Sequence, residues 1–407
     1  MNDPAGSFLP EARPTTLAAF IAACGRQLWQ RRMAALAAQA QGGQRRGKAA
    51  VQRHALELTI DRLSRGGLNR PHTAAEQRII GLAAEAVATY ARLSPPGRAR
   101  LRAALHAALA GEATLAPLFH LFHTAALQRS RGFSVRHAGL EDEAPFDLLI
   151  RRDGIEAELA CDTVSAEEGR DVHRGAWVDL VDRIDPDLQT WLAAHPGRYL
   201  LKMTLPQGLR EGAGDGHGQL AALHARIRTM LEGQRRADHD EAAVLRLDPL
   251  MLAAAQADEL GLLSSLRREF GTQAHLAVTA AGNGVFVMAA RAGRENEVAA
   301  AIRRRLFAIA PMRLSGTRPG ILAMFVEDTD RTEWRELRER LELEGEARQF
   351  LANPAARGVV AVSCCSRLEL LGLGAPEAAP EGEWRFRNPA HPAAKAVALA
   401  PAVLSSM

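Results

Sequence analysis

The chain has 407 residues, 47% hydrophobic and 24% charged, which is length for two or three domains and apolar material for a sizeable core. Its four cysteines, Cys24, Cys161, Cys364 and Cys365, show neither CxxC spacing nor a disulfide framework, which argues against a zinc site and for free thiols in a reducing compartment. Residues 1–110 hold 16 Lys and Arg against 6 Asp and Glu, although the whole chain is only +4, and with no apolar run near ~18 residues and no leader-like start the expectation is a cytoplasmic protein with no membrane partner.

From Thr15 to Gln41 the apolar residues Leu17, Phe20, Ile21, Cys24, Leu28 and Leu36 recur at helical spacing, and Gly42-Gly43 stops the pattern. Further helices are expected over 48–63, 73–93, 97–110 and 116–131, the third of these five opened by a capping box of Thr73 and Glu76. Residues 1–110 thus read as a basic helical domain. Arg45, Arg46, Lys48 and Arg53 cluster beside Gln44, and Arg98, Arg100 and Arg102 follow Pro95-Pro96-Gly97. Such clusters either neutralise nucleic-acid phosphates or solvate exposed helix faces, and Arg45, Arg46 and Lys48 are the candidate contacts.

After Gly132 the period changes. Strands are expected over 133–136, 146–151 and 155–163, with Asp153-Gly154 as a two-residue hairpin turn, then a helix over 165–194 and a fourth strand over 198–203. The alternation of side chains along the third strand puts Ile155, Ala157, Leu159 and Cys161 on a core face and Glu156, Glu158, Ala160 and Asp162 on the other. Asp147, on the second strand, can face that acidic side. Carboxylates gathered there suit a hard divalent cation such as magnesium.

These residues resemble the PD-(D/E)xK restriction-endonuclease-like superfamily. The resemblance covers residues 112–206, about a quarter of the chain, and rests on FDLLIRRDGIEAELACDTVSAEEGR. It implies an αβββαβ core, 111–210, with Asp147 as the aspartate of the second strand. Bacterial members read Glu-Cys-Lys-Thr on the third strand, followed by Ser-x-x-x-Gly-Arg; here Ala160, Cys161, Asp162 and Thr163 stand there, followed by Ser165, Gly169 and Arg170. Alanine at 160 offers no ligand, and Asp162 replaces the lysine that orients water and stabilises charge on the phosphate. Shifting the motif by two residues brings Glu158 into the acidic slot but leaves Ala160 in place of the lysine. Lys202, on the fourth strand, is the one lysine between Lys48 and Lys395.

Lesser features carry plainer readings. His120 and His123, three apart on one helix, either add a ligand or base to the site or are satisfied or exposed histidines. Gly212–Gly218 lacks the lysine and hydroxyl of a phosphate loop and reads as a link. Trp177 and Trp191 are core anchors. The C-terminal half continues with a strand over 242–247, a helix over 256–270, a hairpin of 275–279 with 285–289, a helix over 295–308, a strand over 321–326, a charged helix over 331–351 and a strand over 358–363 carrying Cys364-Cys365 at its end. That region, 219–373, either completes the nuclease-like sheet or forms its own layer. The Ala/Pro-rich tail, 374–407, reads as extended, with Trp384 and Phe386 as docking points.

The expectation is therefore an α/β (α+β mixed sheet) protein with a degenerate nuclease-like core, acting as a non-catalytic module that binds nucleic acid or a protein partner. The enzymatic alternative is a magnesium-dependent nuclease in which Asp147, Glu158 and Asp162 chelate the ion and Arg170 or His173 contacts phosphate. A structural subunit of a larger assembly is the third possibility.

Overall fold

Glycines and capping residues divide the chain more finely than its apolar periodicity does. In the computed structural model, which describes residues 14–66, 71–210, 215–250, 259–271 and 273–406, the first expected helix is two, α1 (Pro14–Cys24) and α2 (Arg26–Gln41), parted at Gly25 with φ +87°. The second is also two, α3 (Gln44–Arg53) and α4 (Ala55–Ser64), either side of His54. At the start of α5 (Ala74–Arg92) the expected capping box is formed: the Glu76 N–H donates to Thr73 Oγ1 at 3.2 Å and the Thr73 N–H to Glu76 Oε2 at 2.8 Å. α6 (Pro95–Ala108) and α7 (Ala116–Ser130) complete the helical run.

β1 (Ser134–Arg136), the one-turn α8 (Ala138–Glu141), β2 (Leu148–Arg152) and β3 (Ile155–Ser165) follow. Asp153 and Gly154 join β2 to β3 with φ +49° and +79°, the two positive values that a two-residue type I′ turn requires. Next come α9 (Arg174–Ala194), β4 (Arg198–Leu205), α10 (Asp215–Glu232), β5 (Ala237–His239), β6 (Val244–Pro249) and α11 (Glu259–Phe270). From Asp215 on, the Gly212–Gly218 run opens α10; its earlier part, like residues 256–258 of the expected helix, lies outside the described residues. β7 (His275–Ala281), β8 (Gly284–Ala292), α12 (Val298–Arg313) and β9 (Gly320–Glu327) lead to α13 (Arg331–Glu339) and α14 (Glu342–Leu351). The single helix expected over 331–351 is thus broken, at Leu341 with φ +58°. β10 (Val359–Ser366), α15 (Arg367–Leu370), β11 (Trp384–Arg387) and α16 (Ala400–Val403) close the chain.

The class is α/β, as expected, with two mixed sheets. The first has the order β1-β2-β3-β9-β10-β11 and the second β5-β6-β4-β8-β7. β4, expected within the same αβββαβ core as β3, lies in the other sheet, bonded to β6 and β8, and the strand beside β3 is β9, from Glu158↔Gly320 to Ser165↔Glu327. The residues explain the exchange. β9 and β10 are almost wholly buried, as continuous apolar runs paired in parallel at the middle of a covered sheet should be. β4 alternates, with Leu201 and Met203 in the core and Lys202 and Thr204 partly exposed, the pattern of a sheet with one wet face.

The chain divides into two compact units. One holds residues up to 37, 51–166 and from 299 onward; the other holds 38–50 and 167–298. The segments 1–110, 111–210 and 219–373 read from the sequence cut across this division. In the first unit, Leu17, Phe20, Ile60, Ile79, Leu101 and Phe119 from the helices share one core with Phe325 of β9 and Cys365 of β10, so the helices are part of the sheet's own unit. The tail is also integral to it. β11 pairs with β10, and Ala394, Leu399, Ala402 and Val403 pack in the cluster under β2, β3 and β9. Its apolar residues are spaced among short turns, which reads as extended chain until the β10 edge is there to receive them. In the second unit α9 and α10 cover one face of the five-stranded sheet.

Candidate functional site

The acidic face of β3 is formed as the alternation predicts. Ala157, Leu159 and Cys161 pack with Leu121 and Ala125 of α7, so Glu156, Glu158, Ala160 and Asp162 lie on the opposite side. Asp147 stands just ahead of β2, its N–H bonded to the Leu159 carbonyl at 3.1 Å, and the register Leu148↔Leu159 sets it across from Ala160. It therefore faces Ala160, whose side chain has no ligand atom, across the two strands.

Arginines meet these acids. Arg313 Nη2 lies 2.7 Å from Asp147 Oδ2, which also accepts the Cys161 N–H at 2.7 Å. Arg305 Nη2 is 2.9 Å from Asp162 Oδ1. Arg318 donates to Glu156 at 3.0 Å and stands 3.5 Å from Glu158. Glu158 is fully buried and is held further by the Ser315 N–H, at 2.8 Å, and by the Ser315 hydroxyl. Burial pushes the Asp147 carboxyl above its ordinary range, and the Arg313 guanidinium and the Cys161 N–H pull it back. All three arginines come from α12 or from the loop between α12 and β9.

Magnesium does not fit this donor set. Glu158 and Asp162 are four residues apart on an extended strand, about 13 Å at a rise of ~3.3 Å per residue, whereas the ion needs its oxygens at ~2.0–2.1 Å. Ala160, between them, supplies no oxygen, and each carboxylate is already engaged by N–H donors. Among the described residues no group of three or more His, Cys, Asp and Glu is placed to hold a metal. The structure brings Asp147, Glu158 and Asp162 to one face but strings them along it.

The other nominated residues have local partners. Arg170 is buried and paired with Glu167, whose carboxylate also accepts the Arg174 N–H at 2.9 Å. His173, at the start of α9, gives its N–H to the Leu209 carbonyl at 2.7 Å, and burial lowers its imidazole below the usual range. Both belong to the second unit, while the acids belong to the first. Arg45 and Arg46 turn their backbone N–H groups to the Asp182 carboxylate at 2.8–3.1 Å, capping the start of α3. Their guanidiniums pair with Asp185 at 3.3 Å and Asp179 at 3.4 Å. Lys48 is exposed and, among the described residues, makes no ion pair. Lys202 lies 3.4 Å from Asp248 and over the Phe270 ring.

His120 and His123 are buried structural residues. Arg78 can only donate, so His123 accepts at Nδ1 (2.7 Å) and donates from Nε2 to the Gly382 carbonyl at 3.0 Å. His120 Nε2 donates to the Ala323 carbonyl at 3.1 Å, leaving Nδ1 to receive the Cys365 thiol at 3.3 Å. Burial lowers His120 to about 4 and, with Arg78 adding to it, His123 to about 3. Cys364 and Cys365 are buried in β10, and burial pushes the Cys364 thiol far above its usual range.

The residues that sequence reasoning missed are Arg305, Arg313, Ser315 and Arg318. Their signal was the basic run Arg303-Arg304-Arg305 and the SGTRPG loop ahead of an apolar strand, in a part of the chain whose net charge is acidic. Comparison with known proteins gives no match to a family model, to a curated protein or to a solved structure.

Proposed function

We propose that this protein is a non-catalytic binding module built on a degenerate nuclease-like core, its acidic face retained as an internal arginine–carboxylate lattice. One observation carries the reading: Asp147, Glu158 and Asp162 each meet an arginine of the α12–β9 segment, at 2.7, 3.5 and 2.9 Å. A hydrolytic site needs free oxygens converging on an ion and a cation poised over the phosphate. Here the cations neutralise the acids and Ala160 leaves the central position empty of chemistry.

The test is an assay of single- and double-stranded DNA and RNA with 10 kDa-filtered protein in magnesium or manganese. The expected outcome is no cleavage above that of Asp147→Ala. Metal-dependent cleavage that Asp147→Ala abolishes would establish the nuclease reading in its place. Nucleic acid and protein both stand as partners of such a module, and the guanidiniums of Arg45, Arg46 and Arg170 are committed to acids of their own unit.

A further inference from the structure

Among the described residues, one face of the second sheet is only half covered. Leu201, Met203 and Leu205 of β4, Leu245 and Leu247 of β6, and Phe286 and Met288 of β8 point into the core under α9 and α10. On the reverse face, Leu200, Val287 and Ala289 pack with Leu266 and Phe270 of α11. Beyond that apolar half the alternation continues with Lys202, Thr204, Val244, Arg246 and Arg291. The register aligns them: Lys202 lies across from Arg246, and Thr204 lies between Val244 and Arg291.

Neighbouring strands stand ~4.8 Å apart, so three cations occupy adjacent strands of a nearly flat surface. The Arg246 side chain is 71% exposed and Lys202 39%, and Asp248 is the one acid that pairs with them. Arg291 is exposed, and its guanidinium makes no hydrogen bond or ion pair among the described residues. The face holds two positive charges more than it neutralises. Val244 is its one exposed large apolar side chain. A membrane surface or a stable protein interface would need a broader apolar centre, whereas Lys, Arg and Thr side chains on a flat wet face are the donors that contact phosphates.

We infer that this half-open face binds the phosphodiester backbone of a nucleic acid through Lys202, Arg246 and Arg291. Phe270, partly buried beneath Lys202, is the one phenyl ring described on this face, and with no row of rings to stack successive bases among the described residues the backbone contacts dominate, so recognition is independent of sequence. The inference rests on the second unit alone and goes beyond the reading of the acidic face.

The experiment is fluorescence anisotropy of the whole protein with labelled oligonucleotides, in EDTA so that cleavage plays no part, over 50–200 mM NaCl. Three phosphate contacts weaken single-strand binding roughly 20-fold across that range and duplex binding roughly 40-fold, which tells the two polymers apart. Arg246→Gln/Arg291→Gln is expected to lose at least about tenfold in affinity at 50 mM NaCl and to flatten the salt slope, while Arg183→Gln, at an exposed position of α9 on the other side of the sheet, binds like the parent. Arg291→Gln alone, which removes no contact of the fold, is expected to lose about threefold and serves if the double variant does not fold. Absent binding, unchanged binding by the Arg291 variant, an equal loss in Arg183→Gln, or tighter binding of polyglutamate or anionic vesicles than of oligonucleotide each overturn the inference.

Discussion

Arg313 shows what a single side chain decides here. Asp147 is partly buried, and without a cation beside it the carboxylate would face desolvation with only the Cys161 N–H in compensation. Arg313→Ala is therefore expected to destabilise the fold by about 1–3 kcal/mol. Adding Asp147→Asn should recover part of that loss, because the amide no longer carries a charge to solvate, and urea denaturation of the four species of the cycle measures the coupling. An additive cycle would remove Arg313 from the account. That the acids share a face was legible from the alternation of β3 alone. Their partners were not, because Arg313 is 166 positions from Asp147 and nothing local links the two.

Among the elements, those fixed by short-range chemistry were readable and those fixed by distant pairing were not. The Asp153-Gly154 hairpin and the Thr73 capping box depend on two to four adjacent residues, and both formed as expected. The neighbour of β3 depends on which apolar strand can be buried on both faces, and that strand is β9 and not β4. The break at Leu341 left no trace in the sequence, which has neither Gly nor Pro there. β11 is the clearest case: it covers the β10 edge, and the Arg385 and Arg387 N–H groups on its far side donate to the hydroxyls of Ser406 and Ser405, at 3.2 and 3.1 Å. Truncation after Leu373 should uncover the β10 edge and unseat Leu399 and Val403, yielding insoluble protein or a large fall in Tm. A soluble truncated form with the parental Tm would make the tail dispensable.

The whole molecule carries an acid sensitivity built from its neutral histidines. Burial lowers His120 to about 4, His123 to about 3 and His275 to about 3, against an unfolded value of 6.5. Between those limits the unfolded chain binds more protons than the folded one, so stability is full above about 6.5 and falls as the pH drops toward 4. Each such histidine contributes a slope of about 1.4 kcal/mol per pH unit inside the window. Urea midpoints from pH 7.5 to 4.5 check this; a flat profile would mean that the imidazoles titrate in the fold as they do in the unfolded chain.

The parallel pair at the centre of the first sheet joins strands that end and begin at Ser165 and Gly320. During synthesis β3 leaves the ribosome with β2 as its hairpin mate, and its other edge stays bare until roughly 150 further residues have been added, which takes about 8–30 s at ~5–20 residues per second. The second unit is made in that interval. The nascent chain thus spends its most exposed moment with an apolar edge and an acidic wall unprotected, and it is the late arrival of α12, with its arginines, followed by β9 that seals both at once.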